Sequence, residues 1–233
     1  MINKMKKTYI NLILQIFIMI FFAGSASAWF GKTHIAVAKA GGYKNWYNAA
    51  AADLAKLKAG DIEQYNHYVN NRRGTVITPE IVLEQAEKYN NPRDRDGHLY
   101  GAIISSVRLY IKDKRAGRYP EDHMAYCVHY VGDLSMPLHN ILFNDFNKKH
   151  HMEMDGIIEK DILNVQSKIK IKKITIKTEE DLAREIAGIG NISMELAFRL
   201  EDENRMMTQE EAYRQVSYSA SLLGAILEYV GSE

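Results

Sequence analysis

Apolar residues recur at helical spacing along most of this chain. Met124, Val128 and Val131 stand at i, i+4 and i+7, which puts them on one face of a helix that begins near Pro120 and is ended by Pro137. The same period predicts helices over His34–Ala40 and Trp46–Lys58, separated by Gly41-Gly42. Others are expected from Pro79 to about Tyr89 and from Leu99 to Lys114, the latter closed by Gly117. Residues 59–78, 90–97 and 140–150 read as loops, the first two rich in Asn and Gly turn formers. His151 opens a further helix reaching about Leu163. Thr178, followed by Glu179, Glu180 and Asp181, and the Thr208/Glu211 capping box open the last two.

One stretch breaks the helical period. From Lys168 to Lys177, lysines alternate with Ile169, Ile171, Ile174, Thr175 and Ile176, a strand pattern with one apolar face. Its basic face is either simply solvated or a contact for anionic lipid or nucleic-acid backbone. No internal repeat or linker is visible. The expected fold is therefore all-α: a compact single-domain helical bundle with a small β-hairpin insertion.

The first 28 residues stand apart. Lys4, Lys6 and Lys7 precede an apolar run from Ile10 to Phe22, and Ala26-Ser27-Ala28 is a small-x-small cleavage signature. Residues 1–28 are thus expected to be a signal peptide, with an uncleaved anchor as the alternative, and 29–233 the working domain. The protein is expected to be exported, periplasmic or secreted, with Trp29 as its first mature residue. Removing three lysines takes the formal charge from +1 to −2, which excludes a generally basic nucleic-acid binder. The single cysteine, Cys127, cannot form an internal disulfide and is expected to act as a small buried hydrophobe.

The chemistry concentrates in His129-Tyr-Val-Gly-Asp133-Leu-Ser-Met-Pro-Leu-His139. His129 and Asp133, four apart, share one helix face, and His139 is delivered from the turn after Pro137. Two imidazoles and a carboxylate converging in this way suit a zinc-type site. His151 and Asp155 repeat the spacing; His150 competes with His151 but has no carboxylate four residues on. At the mature end, the α-amino nitrogen and carbonyl oxygen of Trp29 could chelate one ion that His34 completes.

Trp at the mature terminus, His shortly after, then His-x-x-x-Asp-x-x-x-Pro-x-His and His-x-x-x-Asp resemble the zinc-dependent phospholipase C and single-strand nuclease superfamily. The resemblance runs from Trp29 to Asp155 and implies an all-α fold holding three zinc ions in a cleft. It implies Trp29, His34 and Asp133 at one zinc; His129, Asp133, Asp61 and His67 at the second, Asp133 bridging; and His139, His151 and Asp155 at the third. Glu63 and His98 are the alternatives to Asp61 and His67, whose mutual spacing is short for the family. The implied reaction is in-line attack on a phosphodiester by a metal-bound hydroxide without a covalent enzyme intermediate, with Asp61 as the catalytic residue orienting or deprotonating the water. Substrates would be phospholipid or single-stranded nucleic acid, with peripheral membrane contact for the former. Compact length and the absence of disulfides are similar to small phospholipase-like members, while the short Trp29–His34 gap and Asp155 are similar to the nuclease branch. Tyr65, Tyr68 and Tyr100 are candidates to stack on a base or cover a glycerol. A non-catalytic metal-binding export protein is the alternative outside enzymology.

Overall fold

The computed structural model describes residues 29–232, so the expected signal peptide lies outside the described residues. Among the described residues nine α-helices follow one another: α1 Gly31–Ala40, α2 Ala51–Ala59, α3 Asp61–Gln64, α4 Pro79–Ala86, α5 Leu99–Arg115, α6 Glu121–Leu134, α7 Asp145–Asp155, α8 Glu179–Asp202 and α9 Gln209–Ser232. Short 3₁₀ turns occur at Trp46–Asn48, Pro137–Asn140 and Gln166–Lys168.

Helix α6 is the axis of the assembly. It packs on α1, α2, α5, α8 and α9, and every residue from Cys127 to Leu134 is buried. Apolar Val128, Val131 and Leu134 face a core shared with α5 and α9, a burial driven by the hydrophobic effect. The Cys127 thiol lies in the same core, where burial pushes its pKa up to about 12, as suits an inert packing residue. The cost of surrounding this part of α6 is that His129 and Asp133 within it have no solvent.

The expected Thr178 cap forms, as a full capping box, and so does the expected Thr208/Glu211 box. The Thr178 hydroxyl accepts from the Asp181 amide while Asp181 accepts from the Thr178 amide, and Thr208 and Glu211 do the same at the start of α9. The long helix expected from Trp46 is instead a 3₁₀ turn followed by α2, because the Ala49 amide bonds three residues back to Trp46.

Two sequence expectations are corrected. The helix carrying His151 begins at Asp145, not at His151, and ends at Asp155. Asn144 caps it by accepting from the Asn147 amide at 2.9 Å, and the chain then passes through turns from Gly156 to Asn164. The β-hairpin is not there: the described residues contain no strand. Ile169 and Ile176 are buried, but they lie seven residues apart and Ile171 is exposed, so the strict alternation is not kept, and the backbone finds its partners on a helix. The Lys170 and Lys172 amides donate to the Ser217 and Ser221 hydroxyls of α9, both at 2.9 Å. Two serines one helical turn apart thus match an extended segment at alternate residues.

Candidate metal centre

Helix α6 brings the first ligand pair. His129 Nε2 lies 3.5 Å from Asp133 Oδ2. From α1, the His34 ring stacks on His129 with centroids 3.9 Å apart and presents Nε2 to Asp133 Oδ1 at 3.3 Å. From the turn after α3, His67 Nδ1 reaches Asp133 Oδ2 at 2.8 Å. The two oxygens of Asp133 therefore face different histidines, Oδ1 towards His34 and Oδ2 towards His67 and His129.

Gly132 makes the approach of α1 possible. A Cβ at this position would strike Nδ1 and Cε1 of His34. Gly132→Ala is expected to displace the His34 ring, to weaken binding of any metal held by His34, His129 and Asp133, and to cost about 1–3 kcal/mol of stability by overpacking. Metal analysis of the purified variant checks this, and unchanged stoichiometry would refute it.

The second cluster lies beside the first. The turn Pro137–Asn140 holds His139, whose Nε2 is 3.2 Å from Nε2 of His151 on α7, and His151 Nε2 is 3.5 Å from Asp155 Oδ2. The segments bearing His67 and His139 are clamped together: His139 Nδ1 donates to the His67 carbonyl at 2.6 Å, and the Val69 amide donates to the His139 carbonyl at 2.8 Å. Gly97, at φ +77°, allows the loop before α5 to press on the Tyr68 carbonyl, where any Cβ would collide.

A shared arrangement fixes the imidazoles. His129, His139 and His151 each turn Nδ1 to an oxygen, that of Ala49, His67 or the Asn147 side chain respectively, at 2.9, 2.6 and 2.6 Å. Nε2 is left facing the cluster, the tautomer and orientation that a metal-binding histidine needs. His67 is reversed: Nε2 faces Glu63 Oε1 at 3.3 Å, and Nδ1 faces Asp133. Tyr130 holds that glutamate by donating to Oε1 at 2.6 Å.

Electrostatics follow from burial. It drives the His34 pKa down to about 4, lowers that of His129, and puts His67 and His139 well below the ordinary value. The same desolvation raises Asp133 to about 8, Asp155 well above the carboxylate range and Glu63 to about 7. Both carboxylate oxygens of Asp155, Oδ1 of Asp133 and both ring nitrogens of His34 are buried without a hydrogen-bond partner. Buried polar atoms this close together without hydrogen bonds fit a cation as the missing partner. Three groups could hold a metal ion: His34, His129 and Asp133; Asp53, His67 and His129; and His139, His151 and Asp155.

Asp53 is the residue that sequence reasoning missed, and Asp61 the one it misplaced. Asp61 is exposed at the first position of α3 and joins none of the three groups. Asp53, on α2, points inward to within 3.6 Å of His129 Nε2 and pairs with Lys56 Nζ at 2.6 Å. Burial alone would raise the Asp53 carboxyl, but His129, Lys56 and His34 outweigh it and hold its pKa at about 2. The alternative His98 lies outside the groups, its two ring nitrogens engaged by Asp94 at 3.2 Å and Asn66 at 2.9 Å. His150 packs on Phe146 instead of joining His139.

Trp29 is fully buried beside the clusters, its indole donating to Ser135 Oγ at 3.3 Å, and the next amide, Phe30, donates to the Asp155 carbonyl at 3.3 Å. Its main chain lies close enough to His34 to favour the protonated ring. A cleft of about 290 Å³ opens over His139 and His151, with His67, Tyr68, Asn70 and Phe143 among its walls. Tyr68 is the one expected tyrosine that lines it. Tyr65 is buried, and the Tyr100 hydroxyl is spent in the core on Asn140. No family model matches the chain, and no curated protein matches it.

Proposed function

We propose that this chain is an exported phosphodiester hydrolase of the phospholipase C type, working with three zinc ions. The observation that carries the reading is the spacing of the facing donor atoms. Zinc holds nitrogen and oxygen ligands at about 2.0–2.1 Å, so neighbouring ligands of a tetrahedral ion stand about 3.3–3.4 Å apart. The pairs His34–Asp133, His129–Asp133, His139–His151 and His151–Asp155 lie at 3.3, 3.5, 3.2 and 3.5 Å.

In this reading Trp29, His34 and Asp133 hold one ion; Asp53, His67, His129 and Asp133 the second; and His139, His151 and Asp155 the third. Bound zinc would acidify water towards neutrality and draw an anionic diester into the cleft. The remaining work falls to the chain. Asp53 is the ligand carboxylate with solvent access, its side chain 20 % exposed, and would orient the attacking water as a hydrogen-bond acceptor. Lys56 holds Asp53 in place by their ion pair at 2.6 Å, and Glu63, itself held by Tyr130, stands 3.3 Å from His67 Nε2.

A single-strand nuclease is the second reading. Asp155 and the short Trp29–His34 gap favour it, as do the aromatic rings of Tyr68 and Phe143 in the cleft wall, which could stack on bases. Metal analysis with turnover of bis(p-nitrophenyl) phosphate tests the hydrolase. Three equivalents of zinc with turnover are expected, and tightly bound metal without turnover would favour a closed metal-binding protein instead. Phosphatidylcholine vesicles and single-stranded DNA, assayed in parallel, then separate the two substrate classes.

A further inference from the structure

Helix α2 is inside out. Its inward side carries Asp53 and Lys56, three residues apart and paired beside the histidines. Its outward side carries Leu54 and Leu57, also three apart, which are 67 % and 77 % exposed. The inward charges belong to the metal centre, but nothing in the described residues covers the leucines. Along the chain they are flanked by Trp46 and Tyr47 before the helix and Ile62 after it, all exposed, with Tyr47 at 68 %. Five large exposed apolar side chains within seventeen residues are a density of the kind that marks an interaction site.

The flanking charges identify the partner. Lys44 and Lys58 are exposed in the same stretch, and the Lys39 ammonium sits 4.0 Å over the Trp46 ring. Asp61 is the one exposed acid in the stretch from residue 39 to 62. An apolar helix face bearing leucines and an aromatic ring, rimmed by lysines, suits the boundary between headgroups and acyl chains of an anionic bilayer.

We propose that the outward face of α2, with Trp46, Tyr47 and Ile62, docks the protein on an anionic phospholipid surface. The metal centre touches the opposite face of the same helix. Docking therefore holds it about one helix diameter, roughly 10–12 Å, from the lipid. This goes beyond the hydrolase reading and stands without it.

Flotation with phosphatidylglycerol/phosphatidylcholine vesicles tests the proposal on the wild type and on the double variant Leu54→Ser/Leu57→Ser. Both carry the same N-terminus, so their difference reports the helix face alone. The wild type is expected to float. The variant should bind at least about tenfold more weakly, with unchanged zinc content and unchanged turnover of the soluble diester. Raising the salt or omitting phosphatidylglycerol should weaken wild-type binding. Equal flotation of the two proteins, or no flotation of either, overturns the proposal. A concentration-dependent dimer that the variant abolishes would instead make this face a contact between copies. Flotation lost in the variant, with no diester turnover in either protein, would defeat the hydrolase reading and leave the docking face standing.

Discussion

In the proposed three-zinc hydrolase, Asp133→Asn is expected to cut phosphodiester turnover by about 10³-fold or more and to leave about one metal equivalent of the proposed three. One carboxylate, with Oδ1 facing His34 and Oδ2 facing His67 and His129, is asked to serve two ions, and an amide has no charge to share. Losing several kcal/mol of charge stabilisation corresponds to that drop, at 1.36 kcal/mol for each factor of ten. The substitution should act on stability in the opposite sense when metal is absent. Burial holds the Asp133 carboxyl at about 8, so at pH 8 the metal-free protein carries a poorly solvated charge that Asn removes. In chelator the variant should melt higher than the wild type, and in excess zinc it should melt lower. Melting curves without this crossover, or full metal content in the variant, would dispose of the bridge.

The second large effect is that of metal removal, and it depends on pH. His34 titrates at about 4 in the metal-free fold against 6.5 ordinarily, because burial disfavours its charged form. Between these values the unfolded chain takes up a proton that the folded chain refuses, and stability rises with pH. His67, His129 and His139 act in the same direction. Asp133, raised by burial from 3.8 to about 8, does the reverse: the folded chain keeps a proton that the unfolded chain has released, and stability falls across that window. Glu63 and Asp155 add to the fall. Above pH 6.5 the histidine contributions are complete and only the carboxyl contributions continue. The metal-free protein should therefore be most stable near pH 6.5 and weaken towards pH 8.

Metal needs deprotonated ligands, so its grip strengthens over the same range. At a hundredfold excess over Kd each site contributes about 2.7 kcal/mol, and each kcal/mol is worth roughly 2–4 °C in a domain of this size. The three proposed sites, if all are filled, would give a rise in Tm of roughly 15–30 °C at pH 8. The rise should be much smaller at pH 5. Scanning calorimetry with and without chelator measures it, and equal shifts at the two pH values would refute the linkage.

The helices and most of the centre were legible because each signal was local. His129 and Asp133, and His151 and Asp155, share a helix at i, i+4, and a spacing of one turn survives whatever the helix packs against. Asp53 was not legible. In an alanine-rich run, an aspartate and a lysine three apart carry no signal of facing inward; tertiary packing buries that side and leaves Leu54 and Leu57 exposed. The start of α7 was hidden for a related reason. Its first turns, Asp-Phe-Asn-Lys-Lys, carry almost no apolar period, and the cap that starts them is an asparagine pair whose role appears only in three dimensions. The lysine-alternating segment was legible only in part: Ile169 and Ile176 are buried but Ile171 is exposed, and a period of two says nothing of what the backbone bonds to.

That last segment has a consequence for solubility. An extended, β-branched stretch is the usual template on which further chains add to grow fibrils. Here the amides of Lys170 and Lys172 are occupied by hydroxyls of the molecule's own helix. Lys168, Lys170, Lys172, Lys173 and Lys177 line the exposed side as gatekeepers that repel an incoming copy. The chain thereby carries an aggregation-prone sequence motif while guarding it against self-assembly, and replacing Ser217 and Ser221 with alanine would remove that guard before it disturbed the metal centre.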